Sequence, residues 1–355
     1  MISVLVVDDS VVVRRLIVDA LGGAEGIEVA GTAANGRLAQ AKIDLLRPDL
    51  VTMDIEMPEM NGIEAVRELR KRHPRLPVIM FSTLSAAGAS ATLEALTAGA
   101  TDYVTKPRSM NSVAESITAV REQLVPKIHA LAGRTRPGLA RPLAPAPDRT
   151  PAPGARTRVD LIALGSSTGG PDALTKMLTG LPADLTVPIV VTQHMPPVFT
   201  RMFAERLDRS TPLRVVEAGD AMELAPGTVY IAPGDRHLTL IRRGTTTMTL
   251  LSDAPPENSC RPSVDVMFRS AAKLFGASVT AVVLTGMGHD GRGGARALRD
   301  AGAWVVAQDE ASSVVWGMPG AVVGAGLADE VLSLTRIAPG LLARLKTGRS
   351  AAVAR

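Results

Sequence analysis

Two groups of residues in this 355-residue chain have types and spacing suited to chemistry. In the first, acids, hydroxyls and a lysine stand at the ends of short apolar runs. Asp8 and Asp9 close ISVLVVDD (2–9), Asp54 closes DLVTMD (49–54), Ser82 and Thr83 close PVIMFST (77–83), and Lys106 closes TDYVTK (101–106). In the second, GSSTGGP (165–171) follows the run LIAL and matches G-x-S-x-G at Gly165, Ser167 and Gly169. His194 follows PIVVTQ (188–193), while His289 and Asp290 come after SVTAVVLTG (278–286).

Three carboxylates on one rim repel unless a cation sits among them, and an all-oxygen set favours a hard ion such as Mg²⁺. Asp54 is then a candidate carboxylate nucleophile for phosphoryl transfer. Lys106 would neutralise the acyl phosphate, and Ser82 would hydrogen-bond a phosphoryl oxygen. Any one of these acids alone reads as a helix N-cap; their conjunction at four strand ends points to a site.

A serine on a sharp strand-to-helix turn is presented as a nucleophile. A helix opening near Pro171 would aim its first N–H groups at an oxyanion. A glycine-rich phosphate cradle is the competing reading of this turn, but no Walker lysine follows. A serine nucleophile needs a base and an orienting acid. Of five histidines, His73 lies in a charged helix end and His129 lies near the Pro/Arg-rich segment. His194 falls on the Ser167 rim, so Ser167, His194 and Asp290 form the expected triad. His289 is the rival base, although adjacent residues such as His289 and Asp290 usually point apart. Gly286, Gly288 and Gly291 also spell G-x-G-x-x-G, with Asp309 ending the next strand. An acid inside that loop would repel a pyrophosphate, which argues against a dinucleotide site.

These residues need a scaffold that ends several strands on one rim. Before residue 134, β-branched apolar runs at 2–9, 27–34, 49–54, 77–83 and 101–106 alternate with helical patterns near 10–22, 35–46, 62–72, 87–98 and 110–124. Five βα units imply a parallel sheet with right-handed crossovers, and ligands sit beyond the carboxyl ends of such strands. Segment 134–157 holds six prolines and five arginines, has no aliphatic periodicity, and marks the domain boundary. Beyond it, strands are expected at 158–165, 188–193, 278–286 and 303–308. Helices are expected near 171–179, 198–208, 263–274, 291–301 and 336–345, with short strands and turns over 213–251. The fold class is therefore α/β, with two doubly wound domains, the second mostly parallel with an antiparallel excursion, joined by a Pro/Arg/Ala-rich linker.

Composition narrows the classes. Hydrophobic residues make up 46% and charged residues 21%, a globular balance. A single cysteine excludes a disulfide framework and a multi-cysteine metal centre. The net charge of +4 resides mostly in segment 134–157, and aromatics are only 3%, so nucleic acid is not an expected partner. The start, MISVLVVDDS, has no basic signal-peptide region, and the uncharged stretches 76–93 and 311–328 are broken by Pro, Gly and Ser. A cytoplasmic protein without membrane insertion is expected.

The motifs VVDDS (6–10), MDIEMPEMNG (53–62), FST (81–83) and TKP (105–107) resemble the receiver domain of two-component response regulators. That resemblance implies Asp54 as phosphoacceptor, a Mg²⁺ site of Asp8, Asp9, Asp54 and the Glu56 carbonyl, and switch roles for Ser82, Tyr103 and Lys106. Thr83 stands beside Ser82 as a second candidate hydroxyl. The resemblance also implies a histidine kinase as phosphodonor. The motifs IALGSSTGGPDAL, TQHMPP, VYIAPGDRHL, RPSVD, LTGMGHDG and AQDEASSVVWGMP resemble the catalytic domain of the chemotaxis protein-glutamate methylesterase family. This implies demethylation of glutamate methyl esters on chemoreceptor cytoplasmic helices with release of methanol, deamidation of certain glutamines, and no cofactor for the esterase step. Ser167 is then the nucleophile, His194 the base and Asp290 the orienting acid, with Thr168 and Met287 near the oxyanion. The implied division is receiver 1–125, linker 126–157, catalytic domain 158–346 and tail 347–355. The unphosphorylated receiver is expected to cover the Ser167 rim and to loosen when Asp54 is phosphorylated. Two residues depart from the family pattern: Val198, where glycine is usual, and Cys260, where histidine is usual. A DNA-binding regulator and a non-catalytic receptor-binding module are the other classes considered.

Overall fold

The computed structural model describes residues 1–107, 112–132 and 158–353, with side chains as far as residue 346. The chain divides into two compact units, Met1–Arg141 and Pro142–Arg355.

In the first unit β1 (Ile2–Val7), β2 (Ile27–Ala33), β3 (Leu50–Asp54), β4 (Val78–Ser82) and β5 (Asp102–Thr105) alternate with α1 (Val11–Leu21), α2 (Gly36–Leu46), α3 (Gly62–Arg72), α4 (Ala86–Thr97) and α5 (Val113–Ala132). The strands pair in the order β2-β1-β3-β4-β5, every pair parallel, as the five βα units require. Strands β3 and β4 are buried at every residue, which is why they read as unbroken apolar runs. Val7 pairs with Met53, and Asp54 pairs with Phe81. That register sets Asp8 beside Asp54 and Ser82 one step further along the same rim. Helix starts are fixed locally: Ser10 accepts from Val13 N–H, Asn35 from Leu38 N–H, and Asn61 forms a capping box with Glu64.

The helix expected at 110–124 starts at Val113 and continues to Ala132, carrying Pro126 inside it. Buried Val120, Leu124, Ile128 and Leu131 extend one apolar stripe past the proline. Their burial outweighs the roughly 3 kcal/mol that an interior proline costs. Residues 126–132 therefore belong to this helix rather than to the connecting segment. The rest of the expected linker, 133–157, lies outside the described residues.

The second unit holds a seven-stranded sheet in the order β14-β13-β12-β6-β7-β9-β8, again parallel throughout. Its strands are β6 (Leu161–Ser166), β7 (Ile189–Gln193), β8 (Arg214–Glu217), β9 (Thr228–Ile231), β12 (Val279–Val283), β13 (Trp304–Gln308) and β14 (Glu330–Leu332). The helices are α6 (Gly170–Thr179), α7 (Phe199–Ser210), α8 (Val264–Phe275), α9 (Arg292–Asp300), α10 (Met318–Gly324) and α11 (Leu334–Val353). The antiparallel excursion is narrower than expected: β8 and β9 join the parallel sheet, and only β10 (His237–Arg243) and β11 (Thr246–Ser252) form a hairpin. Three-residue β14 and seven-residue α10 are additions to the expected elements, too short to give a periodic signal. The backbone of the expected tail continues α11 as far as Val353. Strand β6 leads through α6 to β7 on one side, while the later strands β12, β13 and β14 build outward from its other side, so the carboxyl ends of β6 and β12 form the switch point. Helix α8 packs closely there: a side chain at Gly165 would meet Val264 Cγ1 at 2.4 Å. Among the described residues, no helix is long and apolar enough to cross a membrane.

Gly62 opens α3 directly against the Asp54 backbone, where a side chain would come within 2.0 Å of the Asp54 carbonyl. Gly62→Ala is expected to cost the first unit about 1–3 kcal/mol, an overpacking penalty. Calorimetry should show its melting temperature falling by roughly 3–10 °C.

Candidate functional site

The first rim is short of positive charge. Asp8 is fully buried and Asp54 is 3% exposed. Lys106 Nζ donates to Asp54 Oδ1 at 2.8 Å and lies 3.5 Å from Asp8 Oδ2. Burial, reinforced by the charge on Asp54, pushes the Asp8 carboxyl up to about 6. Burial also raises Asp54, against the pull of Lys106. The ammonium of Lys106 is weakened by burial, but its two carboxylate neighbours more than restore it and leave it raised. Asp8, Asp9 and Asp54 each offer an oxygen within 4.8 Å of the others, and Asp8 Oδ2 has no hydrogen-bond partner. An orphaned buried oxygen within an all-carboxylate set fits a hard divalent cation. Exposed Glu56 lies beside Asp9 along the same depression.

Of the three expected switch residues, Lys106 lies on the rim, and Ser82 and Tyr103 have other partners. Ser82 Oγ donates to the Gly88 carbonyl at 3.1 Å and accepts from Thr92 Oγ1 at 2.6 Å, so it is turned onto α4. Thr83 is exposed and pairs with Ser85 at 3.0 Å. Tyr103 is buried, with the Lys127 ammonium 5.5 Å from its ring centre. Burial, with a smaller push from Asp102, holds its phenol well above the usual range.

In the second unit, Ser167 is the first residue after β6. Its N–H donates to the Thr285 carbonyl at 3.0 Å, and its own carbonyl accepts from Gly170 N–H at 2.7 Å. Gln193 locks this turn by accepting from Ser166 Oγ at 2.6 Å and donating Nε2–H to the Ser167 carbonyl at 3.0 Å. The Ser167 N–H is thus already engaged. Thr168 is buried next to it, its carbonyl accepting from Thr285 Oγ1 at 2.9 Å. Met287 is half-buried and follows Gly286, where a side chain would sit 2.9 Å from Ser167 Cβ. Thr168 is therefore next to the serine, and Met287 follows the glycine that packs against it.

His194 begins where β7 ends, and its N–H donates to the Ser166 carbonyl at 3.1 Å. Its ring Nε2–H donates to Asp290 Oδ2 at 2.8 Å. Its Nδ1 faces Cys260 Sγ at 3.6 Å. No hydrogen bond links the Ser167 hydroxyl to the imidazole. The structure thus brings two members of the expected triad into contact and sets the third at the adjacent strand end. Catalytic hydrogen bonds of this kind are often long in the free enzyme and tighten with substrate. His289, the rival base, is exposed.

Asp290 is 2% exposed and accepts from six donors. Oδ2 takes His194 Nε2–H and Val264 N–H at 2.7 Å. Oδ1 takes Ser263 Oγ–H at 2.9 Å, and Asn258 Nδ2–H, Asp265 N–H and Gly291 N–H at 3.0 Å each. Burial alone would raise this carboxyl, but His194 and the helix N–H groups hold it far below the usual range. For His194, burial alone would lower the imidazole; Asp290 and Cys260 outweigh that and raise it to about 9. The resting pair is imidazolium and carboxylate near neutral pH. Asp309, the other acid of the G-x-G-x-x-G reading, holds Ser312 through its N–H at 2.9 Å and its hydroxyl.

Sequence reading singled out neither Asn258, Ser263 nor Gln193. Ser263 carried a signal, since a serine before a helix reads as its N-cap, but its hydroxyl serves Asp290 while Asp290 caps α8 from another element.

The family model described as CheB methylesterase matches residues 162–341, and the response regulator receiver domain model matches residues 4–118. A protein-glutamate methylesterase/protein-glutamine glutaminase of Nocardioides sp. is 54% identical over 99% of this chain and 98% of its own length. One of the same name from Trichodesmium erythraeum is 46% identical over 96% and 98%. The crystal structure of the Thermotoga maritima CheB methylesterase catalytic domain is 42% identical, covers 52% of this chain and 98% of its own, and superposes with a TM-score of 0.51.

Asp290→Ala leaves a buried imidazolium unpaired and uncaps α8, and should cost the second unit about 3–5 kcal/mol. Because the folded-state imidazole is raised from 6.5 to about 9, the pair's contribution is complete below the lower value and is lost as pH rises through the upper one. Calorimetry of wild type and variant should show the gap between their second-unit melting temperatures narrowing as pH rises from 6.5 to about 9.

Proposed function

Because this chain belongs to the CheB methylesterase family and carries a receiver domain, we propose that its protein-glutamate methylesterase and protein-glutamine glutaminase chemistry is carried by Ser167, His194 and Asp290 within segment 158–346. The observation that supports this most is the His194–Asp290 pair, its carboxylate buried and its imidazole largely so, one strand away from a serine on a tight turn. Once the imidazole has lost its Nδ1 proton, Nδ1 takes the Ser167 hydroxyl proton as Oγ attacks the ester carbonyl carbon. Asp290 keeps Nε2–H in place and stabilises the imidazolium that forms. The developing oxyanion is met from the Thr168 turn and the Met287 loop. His194 returns the proton to the departing methoxide, and methanol leaves an acyl-Ser167. Water, deprotonated by His194, then releases the glutamate carboxylate and the serine. With a glutamine side chain the same steps release ammonia.

The substrates are methylated glutamates on the cytoplasmic helices of chemoreceptors, and the reaction belongs to the cytoplasm where those helices lie. Asp54 accepts a phosphoryl group from a chemotaxis histidine kinase. Asp8, Asp9 and Asp54, with the Glu56 carbonyl, would hold Mg²⁺, which when bound supplies charge neutralisation for the incoming phosphoryl oxygens. Lys106 pairs with the phosphorylated Asp54. Ser82 and Tyr103 respond by turning from their present partners, and the esterase rate rises.

Methanol release from methylated receptor membranes measures both sites. Ser167→Ala should abolish it with the fold intact, and normal turnover by that variant would remove the assignment. Asp290→Asn should lose up to roughly 10⁴-fold. A small-molecule phosphodonor with Mg²⁺ should raise release in the wild type and leave Asp54→Asn at its basal rate.

A further inference from the structure

Cys260 is the chain's one cysteine, and its sulfur faces His194 Nδ1, the ring nitrogen that Asp290 does not engage. Its position is fixed by the backbone. Glu257 N–H donates to the Cys260 carbonyl at 3.1 Å, and Cys260 N–H donates to the Glu257 carbonyl at 2.9 Å. Between them Asn258 (φ 53°) and Ser259 (φ 60°) are both left-handed, the geometry of a tight two-residue hairpin. Asn258 Nδ2 donates to Asp290 Oδ1 at 3.0 Å and to Asp265 Oδ2 at 2.9 Å. Arg269 clasps the Glu257 carboxylate with both terminal nitrogens, at 2.8 and 2.6 Å. The turn is pinned to α8 and to the carboxylate that holds His194.

A thiol and an imidazole nitrogen fixed face to face form a soft donor pair. Zinc bonds of about 2.0–2.1 Å to nitrogen and 2.3 Å to sulfur, at a tetrahedral angle, place the two donors about 3.5 Å apart. The separation here is 3.6 Å. A metal-bound imidazole also needs its other N–H taken by an outer acceptor, ordinarily a carboxylate, and Asp290 already accepts Nε2–H. His194, Cys260 and Asp290 present donor atoms within 4.8 Å of one another. Nitrogen with sulfur selects a thiophilic ion, in contrast to the oxygen set of Asp8, Asp9 and Asp54.

We propose that His194 Nδ1 and Cys260 Sγ bind a thiophilic divalent cation, best matched by Zn²⁺, with Asp290 on Nε2 as the outer support, and that this binding silences the hydrolase. Two protons leave for solvent, one from the thiol and one from Nδ1. The cation then occupies the nitrogen that must accept the Ser167 proton. Its remaining positions are filled by water. The silencing rests on the esterase reading; the metal binding does not.

The test uses the full chain, stripped with a chelator and titrated with Co²⁺. One equivalent should produce a thiolate-to-cobalt charge-transfer absorption, which one equivalent of Zn²⁺ should abolish. With one cysteine in the chain, that band can arise only at Cys260, whatever the receiver carboxylates bind. Cys260→Ala should lack it, and His194→Gln should weaken cobalt affinity by roughly 10–100-fold or more. Zn²⁺ should remove most of the wild-type methanol release, while Cys260→Ala keeps most of its own metal-free rate. No charge-transfer band at excess Co²⁺ would overturn the site and leave the 3.6 Å contact as an N–H···S hydrogen bond only. Equal inhibition of wild type and Cys260→Ala by Zn²⁺ would overturn the silencing. A chain that binds cobalt through Cys260 but releases no methanol would sink the esterase reading and spare the metal site.

Discussion

The carboxylate of Asp290 ties together parts of the second unit that are far apart in sequence. It takes the imidazole N–H of His194 from the end of β7, the first backbone N–H groups of α8, and the Asn258 amide from the turn that carries Cys260. A carboxylate that is 2% exposed stays ionised only if its lost hydration is replaced, and here six donors and the positive end of a helix replace it. The exchange is reciprocal. Asp265, in the first turn of α8, accepts Gly294 N–H from α9, the helix that Asp290 precedes. Each acid serves the other helix, and the two helices pack so closely that a side chain at Gly294 would meet Phe268 Cβ at 2.5 Å. The orientation of the candidate base therefore follows from how two helices are capped.

The first unit uses carboxylates at strand ends with the opposite electrostatic outcome. Asp290 is held far below its ordinary range, whereas Asp8 and Asp54 are raised because burial, with repulsion from neighbouring carboxylates, exceeds what Lys106 supplies. Asp8 Oδ2 is left without a hydrogen-bond partner. One site is saturated with donors and is built to hold a neighbouring ring still. The other is short of positive charge and is built to take up a cation and, with it, a phosphoryl group. The same parallel-sheet geometry produces both, because in each unit the strands that meet at the switch point end in polar residues.

Much of this was legible in the sequence. Buried parallel strands read as short apolar runs, and polar residues that follow them on one rim, such as Asp8, Asp54, Lys106, Ser167, His194 and Asp290, can be placed by counting. Two kinds of information were not legible. The first is non-local capping: Ser263 looks like the N-cap of its own helix, yet the capping group comes from Asp290, 27 residues further along the chain. The second is rotamer choice. Nothing in a one-dimensional pattern says that Ser82 turns onto α4, or that the His194 ring gives Nε2 to the acid and leaves Nδ1 for Cys260. The persistence of α5 past Pro126 is a related case, in which an apolar stripe continues through a residue that usually ends a helix.

The ion pair with Asp290 holds His194 as an oriented, largely buried imidazolium. Following the His194 ring resonances by NMR as pH is raised, in wild type and in Asp290→Asn, tests it most directly. A wild-type midpoint near 9 that falls toward the ordinary histidine value of about 6.5 in the variant is the predicted result. A wild-type midpoint already at the ordinary value, unmoved by the substitution, would contradict it.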